Sequence, residues 1–334
     1  MTPNVTFRGL YVLYRNDSMF LVIILLLTGF IILIKGADWL VNGSVSLAKH
    51  YRVSELVIGL TIVAFGTSAP ELVVNIISST KGLNDLTMGN IVGSNLFNLL
   101  FILGISGMVY PLIVNIKTIW KEIPISLLAA LVLYLLANFT FNRNALPSLD
   151  LFDGLILIAL FILFLVYVFL NMRRKEEILE AGYKFRKPSL SVLLILVGLA
   201  SLILGSRLVV NNAVEIAKYL GASEKLIGVT IISAGTSLPE LVTSVVAAFR
   251  KKSDIAIGNI IGSNIFNIFL ILGISSLIAP IQYNPSFNVD LIILMLATIF
   301  LFLFMFSGKK YKLDRWESGI LFIAYIAYII YLLR

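Results

Sequence analysis

Cysteine is absent from this 334-residue chain. Its absence excludes disulfides, thiolate metal sites and cysteine nucleophiles. Histidine occurs once, at His50, so a histidine-rich metal site is excluded too. Charge is scarce: 13% of residues are Asp, Glu, Lys or Arg, against 59% hydrophobic. Mean hydropathy is +0.99. A soluble domain of this size does not have such a balance, so the composition describes an integral membrane protein. The net charge of +8 would suit nucleic acid. Here the basic residues fall in short loops between apolar runs, which is a topology signal instead. No nucleic-acid partner, cofactor or obligate protein partner is implied.

What is abundant is long apolar sequence. A membrane span needs about 20 largely apolar residues. Ten candidates lie near 19–43, 55–80, 85–109, 119–140, 151–171, 189–217, 224–249, 254–279, 288–307 and 315–333. Residues 1–18 lack the apolar core of a cleavable signal peptide and read as a polar extension dispensable for the fold. Residues 171–188 form a charged linker, with a short surface helix as one reading. They separate one five-helix unit, 19–170, from a second, 189–334.

The two units are copies. A shift of 169 residues lays "SELVIGLTIVAFGTSAPELV" on "SEKLIGVTIISAGTSLPELV" and "GNIVGSNLFNLLFILGIS" on "GNIIGSNIFNIFLILGIS". From Ser54 to Ser106 the gapless alignment has 27 identities in 53 positions, an internal duplication. Five is odd, so the second copy enters the membrane upside down. The charges agree: with the 171–187 loop cytoplasmic, that side carries 17 Lys and Arg and the other side seven. The expected fold is all-α, ten transmembrane helices in two inverted repeats. Both termini lie outside, and the plasma membrane is the expected location. Inverted repeats are the architecture of secondary transporters, with the substrate site near the midplane.

Two acids stand inside this apolar sequence, Glu71 in "GTSAPE" and Glu240 in "GTSLPE". A charge at the bilayer centre is costly and is retained where it faces a cavity or partner. No Lys or Arg lies at that depth in either motif, which points to a cation that comes and goes. Pro70 and Pro239 lack the N–H that would bond the carbonyls of Gly66 and Gly235, so each helix should bend or unwind there. Thr67, Ser68, Thr236 and Ser237 add hydroxyl oxygens. Ser94, Asn95, Asn98, Ser263, Asn264 and Asn267 add more from the following spans. An all-oxygen set suits hard cations, and two carboxylates on helix breaks favour Ca²⁺ over the more rigid Mg²⁺. Bland readings exist for individual members. The spacing in "GNIVGS" and "GNIIGS" serves close helix packing, and membrane hydroxyls commonly bond their own helix. Asp38 and Arg207 are equivalent under the shift but opposite in charge, and read as near-interface anchors. Trp39, Trp120 and Trp316 read as interfacial belt residues.

Together, "GTSAPEL" with "GNIVGSNLFN" and "GTSLPEL" with "GNIIGSNIFN" resemble the alpha repeats of the sodium/calcium exchanger family, within the cation/calcium antiporter superfamily. The resemblance covers essentially the whole chain. It implies Ca²⁺ ligation by Glu71, Glu240, Thr67 and Thr236. It implies Na⁺ sites drawing on the same four residues with Ser68, Ser237, Ser94, Ser263, Asn98, Asn267 and the carbonyls of Ala64 and Ser233. Some relatives carry aspartate at the second central asparagine position, and potassium-dependent exchangers use that acid. Asparagine at both 98 and 267 implies potassium independence. The resemblance also implies a two-part machine in which spans one and six slide past the other eight, with Gly29, Gly36, Gly198 and Gly205 allowing close sliding contact. The reading is a Na⁺/Ca²⁺ antiporter and not an enzyme. Alternatives are a Ca²⁺/H⁺ exchanger of the same superfamily and, more remotely, a cation channel.

Overall fold

A computed structural model describes residues 6–116, 118–139, 147–170, 187–221, 233–307 and 311–332, with backbone only at 6–18 and 233. Helices dominate. In chain order they are α1 (Thr6–Tyr51), α2 (Glu55–Thr67), α3 (Ala69–Thr80), α4 (Asn84–Val109), α5 (Thr118–Asn138), α6 (Leu151–Leu170), α7 (Pro188–Tyr219), α8 (Ser233–Thr236), α9 (Leu238–Phe249), α10 (Ser253–Ile278), α11 (Phe287–Phe304) and α12 (Arg315–Leu332). Among the described residues, eight helices are long and apolar enough to cross a bilayer. The pair α2 and α3, bent by 47° at its break, would make a ninth. The expected span at 224–249 begins among residues 222–232, outside the described residues, and α8 and α9 are its described part. The linker at 171–186 is likewise outside them. The first helix is longer than its apolar run suggested: it starts at Thr6 and runs 46 residues.

The duplication recurs in the elements. Adding 169 to Ala69–Thr80 gives Leu238–Phe249, and adding it to Asn84–Leu96 gives Ser253–Ile265, the regular first parts of α4 and α10. Four short strands, β1 (Leu112–Ile113), β2 (Ser148–Leu149), β3 (Ile281–Gln282) and β4 (Lys312–Leu313), pair across the halves. β1 is antiparallel to β4, with Leu112 opposite Leu313. β2 is antiparallel to β3, with Leu149 opposite Ile281.

Burial separates centre from rim. The most apolar stretch is 94% buried in α10 and 78% buried in α4, against 22–39% in the other spanning helices. α4 and α10 therefore form the core. The rim exposes large apolar side chains such as Phe20, Ile31, Leu163, Phe169 and Ile323, a surface suited to lipid and not to water. Trp39, Trp120 and Trp316 are exposed, as belt residues should be.

α1 and α7 pack along each other over most of their length. The glycines make that contact possible. A Cβ on Gly198 would fall 2.7 Å from the Leu40 nitrogen and 2.8 Å from the Gly36 oxygen. One on Gly205 would fall 3.0 Å from the Gly29 oxygen. This corrects the expected role of Gly29, Gly36, Gly198 and Gly205: they bind the two helices to each other instead of facing the remaining spans. Gly66 and Gly235 are the glycines of the two motifs that meet this pair, against Leu199 and Val210 of α7. Asp38 is also more specific than an interfacial anchor. It ion-pairs with Arg250 at the end of α9. The 169 shift converts Asp38 and Arg250 into Arg207 and Lys81, two cations, so this ion pair has no counterpart in the other half.

Because backbone atoms crowd Gly198, Gly198→Val should destabilise the fold by about 1–3 kcal/mol through overpacking. A Cβ at Gly319 meets nothing within 4 Å, so Gly319→Ala should be neutral or stabilising by about 0.5–1 kcal/mol. Thermal unfolding of the purified variants measures both.

Candidate cation site

Each acid owes its place to a helix break. The first break falls at Ser68, with φ −82° and ψ 8°, and the second at Ser237, with φ −89° and ψ 9°. Pro70 and Pro239 are the second residues of α3 and α9. Proline fits there because its missing N–H is one that a helix start leaves unbonded anyway. Glu71 and Glu240 follow in the first turn of the new helix. The positive end of the helix dipole favours a carboxylate at that place. The expected break is therefore present in both copies, and it places each acid in the first turn of a helix.

Both acids are fully buried, at 0% and 1% exposure. Each is held by the opposite half. Ser68 Oγ donates to Glu240 Oε1 at 2.8 Å, and Ser237 Oγ donates to Glu71 Oε1 at 3.0 Å. Ser263 Oγ also lies 3.5 Å from Glu240 Oε1, and Ser237 Oγ lies 3.2 Å from Ser94 Oγ. The second oxygen of each acid, Glu71 Oε2 and Glu240 Oε2, is buried and has no hydrogen-bond partner among the described residues. Among the described residues the ion pairs are Arg250–Asp38, Lys252–Glu55 and Lys312–Asp314, and none reaches either glutamate.

The asparagines add two further unpartnered acceptors. Asn98 and Asn267 lie in wide π-helical turns, Phe97–Ile102 and Phe266–Leu272. Such turns occur often at functional sites. Their amide nitrogens are bonded, but Asn98 Oδ1 and Asn267 Oδ1 are buried without partners among the described residues. Buried acceptors of this kind are rare and call for a physical account. Here they are all oxygens, two charged and two neutral. Among the described residues no three His, Cys, Asp or Glu side chains cluster together. Two carboxylates supplemented by neutral oxygens form a donor set for a hard cation.

The remaining predicted residues fall around this centre. Thr67 is buried and donates to Asn259 Oδ1 at 2.9 Å. Thr236 lies 3.5 Å from Asn90 Oδ1. The Ala64 carbonyl accepts from the Ser68 N–H at 3.0 Å and lies 3.3 Å from Thr67 Oγ1. Ser233 is the first residue of α8. Asn90 and Asn259 were not singled out from the sequence. They are equivalent under the 169 shift and stand in "GNIVGS" and "GNIIGS", where the glycine spacing drew attention to packing. Asn259 also donates to Ser244 Oγ at 2.9 Å and to the Glu240 carbonyl at 3.3 Å. Identity of the asparagine in both copies was the signal available.

Comparisons with known proteins agree with one another. The model of the sodium/calcium exchanger protein family matches residues 21–170 and 190–334. The putative antiporter CaxA of Alkalimonas amylolytica is 38% identical over 93% of this chain and 98% of its own length. The sodium/calcium exchanger MaX1 of Methanosarcina acetivorans is 31% identical over 92% of this chain and 97% of its own. A solved structure of the sodium-calcium exchanger NCX_Mj superposes with a TM-score of 0.81 at 32% identity, covering 93% of this chain and 99% of that one.

Asn259→Ala would leave Ser244 Oγ without its donor, while Thr67 would lose its cross-half acceptor but keep the Val63 carbonyl at 3.1 Å. A loss of about 1–3 kcal/mol is expected for each buried polar group stranded in this way. Thermal unfolding in detergent should show it, and an unchanged midpoint would contradict the assigned network.

Proposed function

The chain belongs to the sodium/calcium exchanger family, and from that premise we propose that it exchanges Na⁺ for Ca²⁺ by alternating access. The observation that carries the reading is the pair of buried glutamates, each with one oxygen bonded across the halves and one left without a hydrogen bond. Two ionised carboxylates bring about −2 of charge into the interior. Holding even one charge at the bilayer centre costs about 2.5–3.5 kcal/mol on insertion scales. Either one Ca²⁺ or more than one Na⁺ neutralises the site. An uncompensated site resists passing between its two exposures, and that resistance couples the two fluxes.

Glu71, Glu240, Thr67 and Thr236 are the proposed Ca²⁺ ligands. Na⁺ would use those residues with Ser68, Ser94, Asn98, Ser237, Ser263, Asn267 and the carbonyls of Ala64 and Ser233. Asparagine at 98 and 267 supports potassium independence. Coupling to Na⁺, in preference to H⁺, rests on the ratio of neutral oxygens to acids. Proton coupling would favour more carboxylates.

The strand pairs support ten spans in two inverted repeats. In that topology the connection after span three, carrying β1, and the connection after span nine, carrying β4, emerge on the same side. The connections after spans four and eight, carrying β2 and β3, both emerge on the other. Those are the strands that pair. The ion pair Lys252–Glu55 likewise joins the connections after spans one and seven, again a same-side pair. With the basic bias, this supports outside termini and a cytoplasmic 171–187 loop.

Vesicles loaded with Na⁺ should take up Ca²⁺ with no pH gradient, at fixed membrane potential. Uptake that needs a proton gradient and ignores Na⁺ would move the chain to Ca²⁺/H⁺ exchange. Glu240→Gln should abolish the Na⁺-driven uptake, and near-normal exchange in that variant would remove the proposed site. Acid should inhibit, because protons also neutralise the two carboxylates. Constant transport on acidification would contradict that competition.

A further inference from the structure

Four asparagines meet where α4 and α10 cross the core, and their amides form a closed relay. Asn95 Nδ2 donates to the backbone carbonyl of Asn264 at 3.4 Å, and Asn264 Nδ2 donates to the backbone carbonyl of Asn95 at 3.3 Å. Asn267 Nδ2 donates to Asn95 Oδ1 at 3.0 Å, and Asn98 Nδ2 donates to Asn264 Oδ1 at 3.1 Å. All four residues are buried.

The relay has a direction set by its backbone members. A primary amide can turn over, exchanging donor for acceptor, but a backbone carbonyl can only accept. The Asn264 carbonyl therefore takes the NH₂ of Asn95, which turns Asn95 Oδ1 toward Asn267. That oxygen in turn takes the NH₂ of Asn267. What remains of Asn267 is its Oδ1, the buried atom without a hydrogen bond. The same steps from the Asn95 carbonyl through Asn264 leave Asn98 Oδ1 unpartnered. Turning over either outer amide would set its Oδ1 against the Oδ1 of the inner residue, two acceptors with no hydrogen between them. The two hydrogens of an NH₂ would then point where one unpartnered oxygen now does.

We infer that Asn95 and Asn264 are positioning residues that hold the amides of Asn267 and Asn98 with oxygen, and not nitrogen, toward the transported cation. The inference rests on the cation-site reading above. It goes further in explaining how an amide serves where a carboxylate would otherwise stand. A carboxylate presents oxygen in either orientation. An amide supplies a negative end only while its orientation is enforced, and when reversed it presents two hydrogens to the cation.

The pairing is crosswise, and that makes it testable. Purified protein and proteoliposomes of the parent, Asn95→Ala, Asn264→Ala, Asn267→Asp and Asn98→Asp, singly and combined, would be compared for half-saturating Ca²⁺. Both Na⁺-driven uptake and direct Ca²⁺ binding would be read. Loss of one orienting hydrogen bond is worth about tenfold, so Asn95→Ala should raise the half-saturating concentration by about that factor. Combined with Asn267→Asp, which has no wrong orientation, the same change should cost less than about twofold. Combined with Asn98→Asp it should cost the full factor, because Asn98 is held by Asn264. The mirror holds for Asn264→Ala, relieved by Asn98→Asp alone, and serves if Asn95→Ala does not fold. An equal cost of Asn95→Ala in all three backgrounds would make it a packing residue and overturn the inference, as would no cost in the parent. A parent without Na⁺-driven uptake would instead refute the exchange reading, while the binding arm would still decide the amide relay.

Discussion

Two carboxylates lie in the interior of this protein with no Lys or Arg against them among the described residues, and most of the architecture answers to that fact. Each sits in the first turn of a helix, where backbone dipoles favour negative charge. Each gives one oxygen to a serine of the opposite half. Neither arrangement discharges the pair. Breaking or omitting a partner to a buried charge costs several kcal/mol. In the proposed exchange a mobile cation meets that cost in place of a fixed side chain.

The crossing of partners has a consequence for movement. Ser68 and Glu240 belong to different halves, as do Ser237 and Glu71, Thr67 and Asn259, and Thr236 and Asn90. The site cannot be assembled by either half alone, and displacement of one half against the other would change all four contacts together. The closely packed pair of α1 and α7 stands apart from this knot. It is joined internally through Gly36, Gly198 and Gly205, and meets the motif glycines Gly66 and Gly235 through Leu199 and Val210.

Symmetry between the halves is followed by the proposed side-chain ligands and abandoned at several other places. Ser78, Ser79 and Thr87 become Ala247, Ala248 and Ala256 in the second copy, and the Asp38–Arg250 ion pair becomes Arg207 and Lys81. The ion pair is partly exposed, and pairs of that kind contribute at most about 1 kcal/mol. It therefore marks a difference between the halves without dominating the fold. The proposed side-chain ligands are among the residues that remain identical under the shift: Thr67 with Thr236, Ser68 with Ser237, Glu71 with Glu240, Ser94 with Ser263.

Much of this was legible from residue order alone. Apolar run length gave the spanning helices because lipid offers no partner to an unbonded backbone. The 169-residue repeat gave the pairing of Glu71 with Glu240. Proline and glycine in "GTSAPE" gave the break at Ser68, since those residues act on their own backbone within one turn. What residue order could not decide was which neutral oxygens face inward and which residues hold them. Asn90 and Asn259 passed as packing neighbours, and Asn95 stood as an equal candidate beside Asn98. The glycines of α1 and α7 were assigned to the wrong interface. Each of those questions depends on contacts between residues more than a hundred positions apart and on which end of an amide points where. An amide has the same atoms in either orientation, so only the acceptors that the tertiary structure brings beside it decide.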